Sequence, residues 1–450
     1  RDQEAIRQHK KDAAEGLIPL SGVNIAFAAA GLCTLGLTTD LGDKEFKLGM
    51  CGVDPDSPSA ISDRELFHDL NGAPSGPFPQ GWVPEFEQTI HGVILVTGDS
   101  RETVDKKMAE VRTLFSHVHS LADEGLESIQ EVTRLLGEVR PGVESGHEHF
   151  GYEDGISQPV IVGLGPKPLP GQRIVPSGVL LVGGDQDPKK ESRPTTAAWA
   201  KDGSFLAFRL LPQLVPEFDK FQETTALDLD ISPELLGARM VGRWKSGAPL
   251  DITPNKDDPE LAEDPLRNNF FDFGPVDVQR KCPFAAHIRK TNPRRDLGEP
   301  DNFNLLVSRA IARRGIPFGP EVTLEEKALK RTIEKRGLLF VSYQSVISNG
   351  FKFIQDSWVN KPGFIFGKTD GNPGLDPIIG QGPEPIRAGT LGLDTANLKR
   401  PVNLTQQWVL SKGGEYFFSP SISALKTVFI TPAEVPIAPG PRVPGGGQEL

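Results

Sequence analysis

The stretch Gly337-Leu-Leu-Phe-Val-Ser-Tyr343 is a short, almost wholly apolar run, a pattern that is typical of a buried β-strand. We expect a helix at about 345–358 to follow it. The run Gly92-Val-Ile-Leu-Val-Thr97 has the same pattern and precedes an amphipathic helix at about 101–122. A strand followed by a helix in each half indicates two similar α+β units, each built on an antiparallel sheet.

Other segments extend this organisation into two units. The first half opens on a strand-like run at 24–37, and the second half has a strand at 204–211 and helical character at 325–336. A stretch rich in Pro, Gly and charged residues at 165–203 separates the halves, and an apolar run inside it at 178–182 has the character of a strand. The predicted domains are 1–200 and 201–450. The segment 245–300 is a long polar loop of a kind that is usually functional or disordered, and 436–450 is predicted to be an extended tail.

The composition excludes two classes of partner. The 450 residues carry a net charge of −11, whereas a nucleic-acid-binding surface needs a basic face. The longest weakly polar run, 24–37, is shorter than the roughly 20 consecutive apolar residues of a transmembrane helix. We therefore expect neither nucleic acid nor a membrane as a partner.

Features near the ends of the chain favour an extracellular location. The chain begins at Arg1 rather than Met, so we expect that a leader has been removed. Asn403-Leu-Thr405 is an acceptor sequence for N-glycosylation. The 3 cysteines are too few for a disulfide framework. We expect a secreted glycoprotein, and a monomer.

One candidate site lies in His149-Phe-Gly-Tyr-Glu-Asp-Gly-Ile-Ser-Gln-Pro159, where Gly151 and Gly155 bracket Asp154. Glycines at these positions let the backbone approach a flat ligand closely. Two other interpretations stay open at this point. Taken alone, an Asp between glycines is more commonly explained by an Asx-turn. His147 and His149, with Glu148 between them, are also a metal-binding pattern, although a third ligand is missing.

A second candidate site lies in Lys281-Cys-Pro-Phe-Ala-Ala-His-Ile-Arg-Lys-Thr-Asn-Pro-Arg294. It places His287 between an apolar patch and three cations. A neutral imidazole can ligate a haem iron, and cations are suited to the haem propionates. The candidate cations are Arg289, Lys290 and Arg294. The alternative is an ordinary loop histidine.

Together the two segments resemble the dye-decolorizing peroxidases, in particular their fungal secreted branch. The resemblance extends from about Gly22 to the end of the chain. It includes GYEDGISQP (151–159), CPFAAHIRKTNPR (282–294), IARRGIPFGPE (311–321), GLLFVSYQS (337–345), FIQDSW (353–358) and GLDPIIGQ (374–381). The order and spacing of these motifs make the match far more specific than one Asp between glycines.

The resemblance implies an α+β fold of two ferredoxin-like domains, each an antiparallel sheet with peripheral helices, that enclose one non-covalent haem b. His287 would be the proximal ligand of the iron and the metal-binding residue. Asp376 would accept the other imidazole N–H of His287, which raises the basicity of the ligand. Further contacts to the cofactor would come from Arg289, Ile156 and Ser157.

The resemblance also assigns the distal side of the haem. Asp154 would be the acid–base residue and Arg313 the distal arginine, because the family's spacing back from the Pro-Phe-Gly at 317–319 selects Arg313 over Arg314. Two residues that alternate on one strand would shape the distal pocket, Leu338 and Phe340.

These residue types suit the activation of hydrogen peroxide. Cleavage of the O–O bond needs a proton to move from the inner to the outer oxygen, and an ionised Asp154 can accept and then donate it. Arg313 and the iron are expected to hold the pKa of Asp154 down, and Arg313 can stabilise charge on the departing oxygen.

The predicted function is that of a haem peroxidase, a hydrogen-peroxide oxidoreductase of class EC 1.11.1.19. It would form a high-valent oxo-iron intermediate and oxidise bulky dyes and phenolic or aromatic donors. The alternatives are haem proteins of the same fold that act as a carrier, a deferrochelatase or a chlorite-degrading enzyme.

Trp358 is the predicted donor for large dyes, because such dyes do not fit a pocket closed by Leu338 and Phe340. The helix that carries Trp358 is expected to bring it to the surface for long-range electron transfer. A surface tyrosine of some relatives corresponds here to Phe318, so that site is predicted to be absent. The alternative for Trp358 is an aromatic anchor on a helix face.

A third segment, Arg64-Glu-Leu-Phe-His-Asp69, matches the distal helix of plant-type peroxidases, in which a histidine moves the proton. That family is almost entirely helical, and its proximal Ser-Gly-Gly/Ala-His pattern is missing here. We therefore interpret this match as a coincidence.

Overall fold

The structure is a computed structural model that describes residue 18 and residues 20–57, 60–69, 76–116, 129–165, 167–273, 279–297, 303–368, 371–382 and 389–429. The predicted tail at 436–450 lies outside these residues. The strands of the described chain are β1 (Ser21–Phe27), β2 (Gly92–Gly98), β3 (Val160–Ile161), β4 (Ile174–Val175), β5 (Ser204–Pro212), β6 (Ala312–Arg313), β7 (Ile316–Phe318), β8 (Gly337–Gln344) and β9 (Gly413–Ser419).

Most of these strands join one antiparallel sheet with the order β2-β1-β9-β5-β8-β6, and β7 also pairs with β8. Strand β5 lies at its centre and is paired along its length with β8 on one side and β9 on the other. Strands β3 and β4 form a separate parallel pair. The sheet therefore places the predicted strand at 337–343 next to the middle of the molecule.

The helices are short and lie around this sheet. The α-helices are Ala29–Thr34, Lys44–Leu48, Asp63–Leu66, Arg101–Ser116, Ser177–Leu180, Val215–Leu229, Pro233–Val241, Pro259–Glu263, His287–Thr291, Phe303–Ser308, Leu324–Leu329, Phe351–Phe353 and Ile422–Thr427. The 3-10 helices are Pro84–Glu87, Gly142–Glu144, Thr195–Ala200 and Arg294–Leu297, and Ile354–Val359 is a π-helix. No helix of the described chain is long and apolar enough to cross a membrane.

The core is dominated by aromatic side chains packed against the sheet. Phe205 of β5 and Phe418 of β9 are fully buried, with their ring centroids 5.3 Å apart. On the helix Val215–Leu229, Phe221 packs against Trp408 at 4.6 Å between centroids. Burial of each large apolar side chain contributes about 1.5–3 kcal/mol relative to exposure, so these contacts fix how the helices lie on the sheet.

Two apolar runs that looked like strands contain helices. The predicted strand-like run at 24–37 leaves the sheet after Phe27, and the helix Ala29–Thr34 follows. Gly31 in this helix lies so close to His91 that an added Cβ atom would be 1.8 Å from the His91 carbonyl oxygen. The run at 178–182 belongs to the helix Ser177–Leu180. Short apolar runs do not distinguish a buried strand from a buried helical turn, which explains both errors.

Three helix bounds also differ from the prediction. The region 325–336 is helical only as Leu324–Leu329, because Lys330 adopts a left-handed conformation that ends the helix. The helix expected at 345–358 starts at Phe351 and continues as a π-helix. The helix expected at 101–122 is described as Arg101–Ser116, and its remaining predicted residues lie outside the described chain.

The predicted fold class is confirmed, since an antiparallel sheet with peripheral helices is observed. Strands from both halves of the chain meet in that sheet, where Phe27 of β1 pairs with Phe418 of β9. The division into domains at residue 200 stays a prediction.

Candidate active site

His287 stands at the start of the helix His287–Thr291, and Asp376 holds its ring. The imidazole Nδ1 donates to Asp376 Oδ2 at 2.8 Å. The other carboxylate oxygen of Asp376 accepts the backbone N–H groups of Ile378, at 2.8 Å, and Ile379, at 3.1 Å. Because these contacts fix the buried carboxylate, they also orient the ring and leave Nε2 as the nitrogen that is available to a metal.

The charge of Asp376 also changes the protonation of His287. Burial alone would lower the pKa of this imidazole, but the charge and the hydrogen bond of Asp376 raise it overall. A ring stabilised in this way by a carboxylate is a strongly electron-donating metal ligand.

Asp154 and Arg313 form the second half of the site. Arg313 Nη1 donates to Asp154 Oδ1 at 2.5 Å, and the backbone N–H of Gly155 donates to the same oxygen at 2.6 Å. Gly155 has a φ of +89°, a conformation that favours glycine, and this turn directs its N–H at the carboxylate. Burial alone would raise the pKa of Asp154, but Arg313 and the Gly155 hydrogen bond lower it below the usual value.

Gln158 connects the two distal residues and was not singled out by the sequence. Its side-chain amide accepts the backbone N–H of Arg313 at 3.1 Å and donates to the Arg313 carbonyl at 3.2 Å. The loop that carries Asp154 is thereby attached to β6, which carries Arg313. The only signal in the sequence is that Gln158 lies within the GYEDGISQP motif.

We expect Gln158→Leu to slow the reaction with hydrogen peroxide by roughly 10- to 100-fold, because small misplacements of catalytic groups have effects of that size. The pKa of Asp154 should rise as Arg313 moves away. Gln172→Leu is the matched control, since Gln172 accepts one hydrogen bond, from Leu169, and touches neither distal residue. Stopped-flow rates that are equal in both variants and the parent would show that the Gln158 contacts do not position the pair.

Leu338, Phe340 and Arg313 lie on one face of the sheet. Leu338 and Phe340 alternate along β8, and Ser342 continues this alternation. Arg313 pairs directly with Ser342, and paired residues of antiparallel strands point to the same face. The structure therefore places these three predicted distal residues together. Ile156 and Ser157 are half-buried in the loop next to Asp154.

The exposure of the charged residues fits a cavity lined by the protein. Asp154, Arg313 and His287 retain 36%, 30% and 28% of their side-chain exposure. Burial nevertheless strongly affects the pKa of both Asp154 and His287, and each lies close enough to alter the pKa of the other. These three side chains are partly accessible although protein surrounds them, and Nε2 of His287 is available to a metal. This arrangement is suited to a haem bound between His287 and the distal pair.

Arg289 does not reach this cavity, which corrects its predicted contact with the haem propionates. Its guanidinium is 1% exposed and donates to both carboxylate oxygens of Asp296, at 2.6 and 2.7 Å. Lys290 and Arg294 are also buried and donate to backbone carbonyl groups. Cations in a buried segment take internal partners because an unpaired buried charge is costly.

Trp358 is buried, which corrects its predicted position at the surface. It is 3% exposed and stacks on Phe364, with ring centroids 5.3 Å apart and an interplanar angle of 9°. Phe353 meets the indole edge at 5.4 Å. The helix turns Trp358 into an aromatic cluster because that contact removes a large apolar surface from water. A bulky dye cannot contact it directly.

The two competing site patterns have structural roles. In the plant-type pattern, Phe67 belongs to the core and Asp69 is paired with the buried Arg209 at 2.7 Å. In the histidine pair, His149 donates from Nε2 to the carbonyl of Phe318 at 2.8 Å. Among the described residues, no group of three or more His, Cys, Asp and Glu side chains could hold a metal ion.

Comparisons with known proteins agree with this site. The model of the DyP dimeric alpha+beta barrel domain matches residues 1–141. A dye-decolorizing peroxidase of Exidia glandulosa is 46% identical over 418 residues, which cover 90% of this chain and 75% of the relative. A dye-decolorizing peroxidase of Mycena epipterygia is 42% identical over 440 residues, which cover 91% and 76%.

Solved structures of dye-decolorizing peroxidases are also similar to this chain. An ancestral D-type dye-decolorizing peroxidase is 50% identical with a TM-score of 0.81, covering 95% of this chain and 88% of that chain. A dye-decolorizing peroxidase in complex with 2,6-dimethoxyphenol is 41% identical with a TM-score of 0.78, covering 91% and 86%.

Proposed function

Because this chain belongs to the dye-decolorizing peroxidase family, whose members are haem enzymes, we propose that His287 binds one non-covalent haem b. The single observation that carries this proposal is that the pair His287–Asp376 lies close enough to the pair Asp154–Arg313 for the charges of His287 and Asp154 to alter each other's pKa. The alternatives of a carrier, a deferrochelatase or a chlorite-degrading enzyme are not favoured, since the relatives are named peroxidases.

The haem, when bound, supplies the iron to which hydrogen peroxide binds and takes up its two oxidising equivalents. The residues of this chain control the protons. Asp154 accepts a proton from the inner peroxide oxygen and returns it to the outer oxygen, which then leaves as water. Arg313 keeps Asp154 ionised and donates hydrogen bonds to the developing negative charge. Asp376 holds the His287 ring in place during these steps.

We further propose that small phenols approach this cavity and that bulky dyes give up electrons elsewhere on the protein. The complex of a similar enzyme with 2,6-dimethoxyphenol supports methoxylated phenols as donors. The proposal that large dyes do not enter rests on Leu338 and Phe340, which lie on the face that carries Arg313.

Secretion, glycosylation and the monomeric state are part of the same proposal. Asn403 of the acceptor sequence is exposed, so its side chain is accessible to a glycan. The low cysteine content fits a protein that does not depend on a disulfide framework.

The test of the proposed function is an absorption spectrum of the purified protein before and after one equivalent of hydrogen peroxide. A Soret band with five-coordinate histidine ligation, which changes within the mixing time on addition of peroxide, is the expected result. A haem protein that does not react rapidly with peroxide would instead be a carrier.

The pH dependence gives a sharper prediction for Arg313→Leu. Asp154 acts only when ionised, so the rate of reaction with peroxide falls as the pH drops through its pKa. In the parent this pKa lies below the ordinary 3.8, but without Arg313 burial should bring it above that value. The acidic limb of the stopped-flow rate profile should therefore move to higher pH. Arg309→Leu is the control, because Arg309 donates to Asn349 rather than to the distal pair and should leave the limb unchanged.

A further inference from the structure

Tyr416 is a fully buried tyrosine whose hydroxyl is bonded to a carboxylate. It lies on β9 with 0% exposure, and its hydroxyl donates to Asp63 Oδ2 at 2.7 Å. Oxidation of a phenol to a neutral radical releases a proton together with the electron. A base that already accepts a hydrogen bond from the phenol makes this oxidation easier, since the proton transfers along that hydrogen bond.

The surroundings of Asp63 allow it to take up that proton. Its other oxygen forms an ion pair with Lys352 Nζ at 2.6 Å, and the same ammonium group forms an ion pair with Glu45 at 2.9 Å. If Asp63 becomes neutral, Lys352 therefore keeps a carboxylate partner. Asp63, Glu45 and Lys352 also line a pocket of about 130 Å³, and the Lys352 side chain is 23% exposed. The pocket gives the proton a route to solvent.

Aromatic contacts connect Tyr416 to the candidate active site. The ring of Tyr416 lies 6.3 Å from that of Phe351, and Phe351 lies 5.9 Å from Phe340. Phe340 belongs to the sheet face that carries Arg313. Two ring-to-ring steps thus separate the tyrosine from the distal pocket, and the guanidinium of Arg209 lies over the middle ring, 5.7 Å from the centroid of Phe351.

Burial also determines the form in which Tyr416 is oxidised. Burial first, and the negative charge of Asp63 second, raise the pKa of Tyr416 well above its usual value. The residue is therefore a neutral phenol at neutral pH, and formation of a neutral radical requires loss of the proton together with the electron.

The chain offers an internal comparison in Tyr152, which is also buried, with 5% exposure. Its hydroxyl has no hydrogen-bond partner among the described residues. Tyr152 is thus a buried tyrosine without a base to accept the proton. The 3 tyrosines of the chain make the source of any tyrosyl signal straightforward to assign.

We propose that Tyr416 and Asp63 form a redox-active site that carries oxidising equivalents away from the distal pocket. Tyr416 gives one electron to the cofactor that peroxide has oxidised, and its phenolic proton passes to Asp63, which leaves a neutral tyrosyl radical and a protonated carboxyl group. An aromatic donor at the protein surface returns one electron through the protein, because Tyr416 is buried, and the proton moves back from Asp63 to the phenolate oxygen. This inference rests on the proposed haem peroxidase function.

The test is rapid-freeze electron paramagnetic resonance of the haem-loaded enzyme after one equivalent of peroxide, with no donor present. Ring-deuterated tyrosine identifies a tyrosyl signal by narrowing its lines. We expect a tyrosyl radical in the parent and in Tyr152→Phe, and its loss in Tyr416→Phe. Asp63→Asn should slow its formation by roughly 100-fold, because the amide cannot take the proton. Asp54→Asn is the matched control, since Asp54 is a carboxylate of the same pocket that pairs with Lys44.

The haem spectrum and its reaction with peroxide are recorded on the same samples. A parent that fails to react with peroxide contradicts the proposed function itself. A parent that reacts normally but forms no tyrosyl radical overturns the role of Tyr416, and so does a radical that survives in Tyr416→Phe. If Tyr416→Phe loses its haem through misfolding, an unchanged rate of radical formation in folded Asp63→Asn overturns the proposal.

Discussion

His287→Ala is expected to lose most of its haem. Loss of a hydrogen-bond partner of a metal ligand already costs about 10–100-fold in affinity, so loss of the ligand itself should cost more. The buried Asp376 would then lose the hydrogen bond that it accepts from the imidazole. The measurement is the Soret absorbance per protein after reconstitution with haem, and the same samples are examined by far-ultraviolet circular dichroism to confirm that the variant is folded.

His147→Ala is the control for this experiment. His147 is half-buried beside the distal loop, and its ring contacts the Ser145 carbonyl at 3.3 Å. Its removal should leave the haem content at the level of the parent. A His287→Ala variant with full haem content and unchanged five-coordinate histidine ligation would show that another residue binds the iron.

Asp154→Asn should retain its haem but react with hydrogen peroxide roughly 10²–10⁴-fold more slowly, the usual range for loss of a general acid–base group. The amide has nearly the same shape as the carboxylate and can still accept a hydrogen bond from Arg313, so the cavity should be preserved. It cannot accept the peroxide proton. Stopped-flow absorbance at the Soret band, with peroxide in excess, measures the rate constant directly.

Glu153→Gln tests whether this effect is specific to Asp154. Glu153 is the adjacent carboxylate, and burial raises its pKa, but it makes no contact with Arg313 in the described structure. The rate with peroxide should therefore stay within a few-fold of the parent. If the Asp154→Asn variant reacts at the parental rate and the His68→Ala variant does not react, the plant-type mechanism is favoured.

Much of the fold follows from local sequence. The runs at 92–97, 204–211 and 337–343 are observed as β2, β5 and β8. An apolar run of this length, bounded by turn residues, is most readily buried as a strand. Short runs were less informative. The segment 178–182 is helical because a single turn buries the same apolar residues as a strand would.

The candidate site was predictable where a motif specifies a contact. The resemblance paired His287 with Asp376 and Asp154 with Arg313, and both pairs are in hydrogen-bond contact although they are 89 and 159 residues apart. Their catalytic roles remain the predictions that the variants above test.

What the sequence by itself determined about this protein is its family, its strands and the chemical types that meet at the site. Only the tertiary structure decided which of the neighbouring groups are available. Arg289 is unavailable because Asp296 neutralises it in the interior, and Trp358 is unavailable at the surface because Phe364 covers it. Gln158 gains its importance from the backbone of Arg313, 155 residues away. Residue type and local spacing do not encode these partners, because burial and pairing depend on segments that approach only when the sheet is complete.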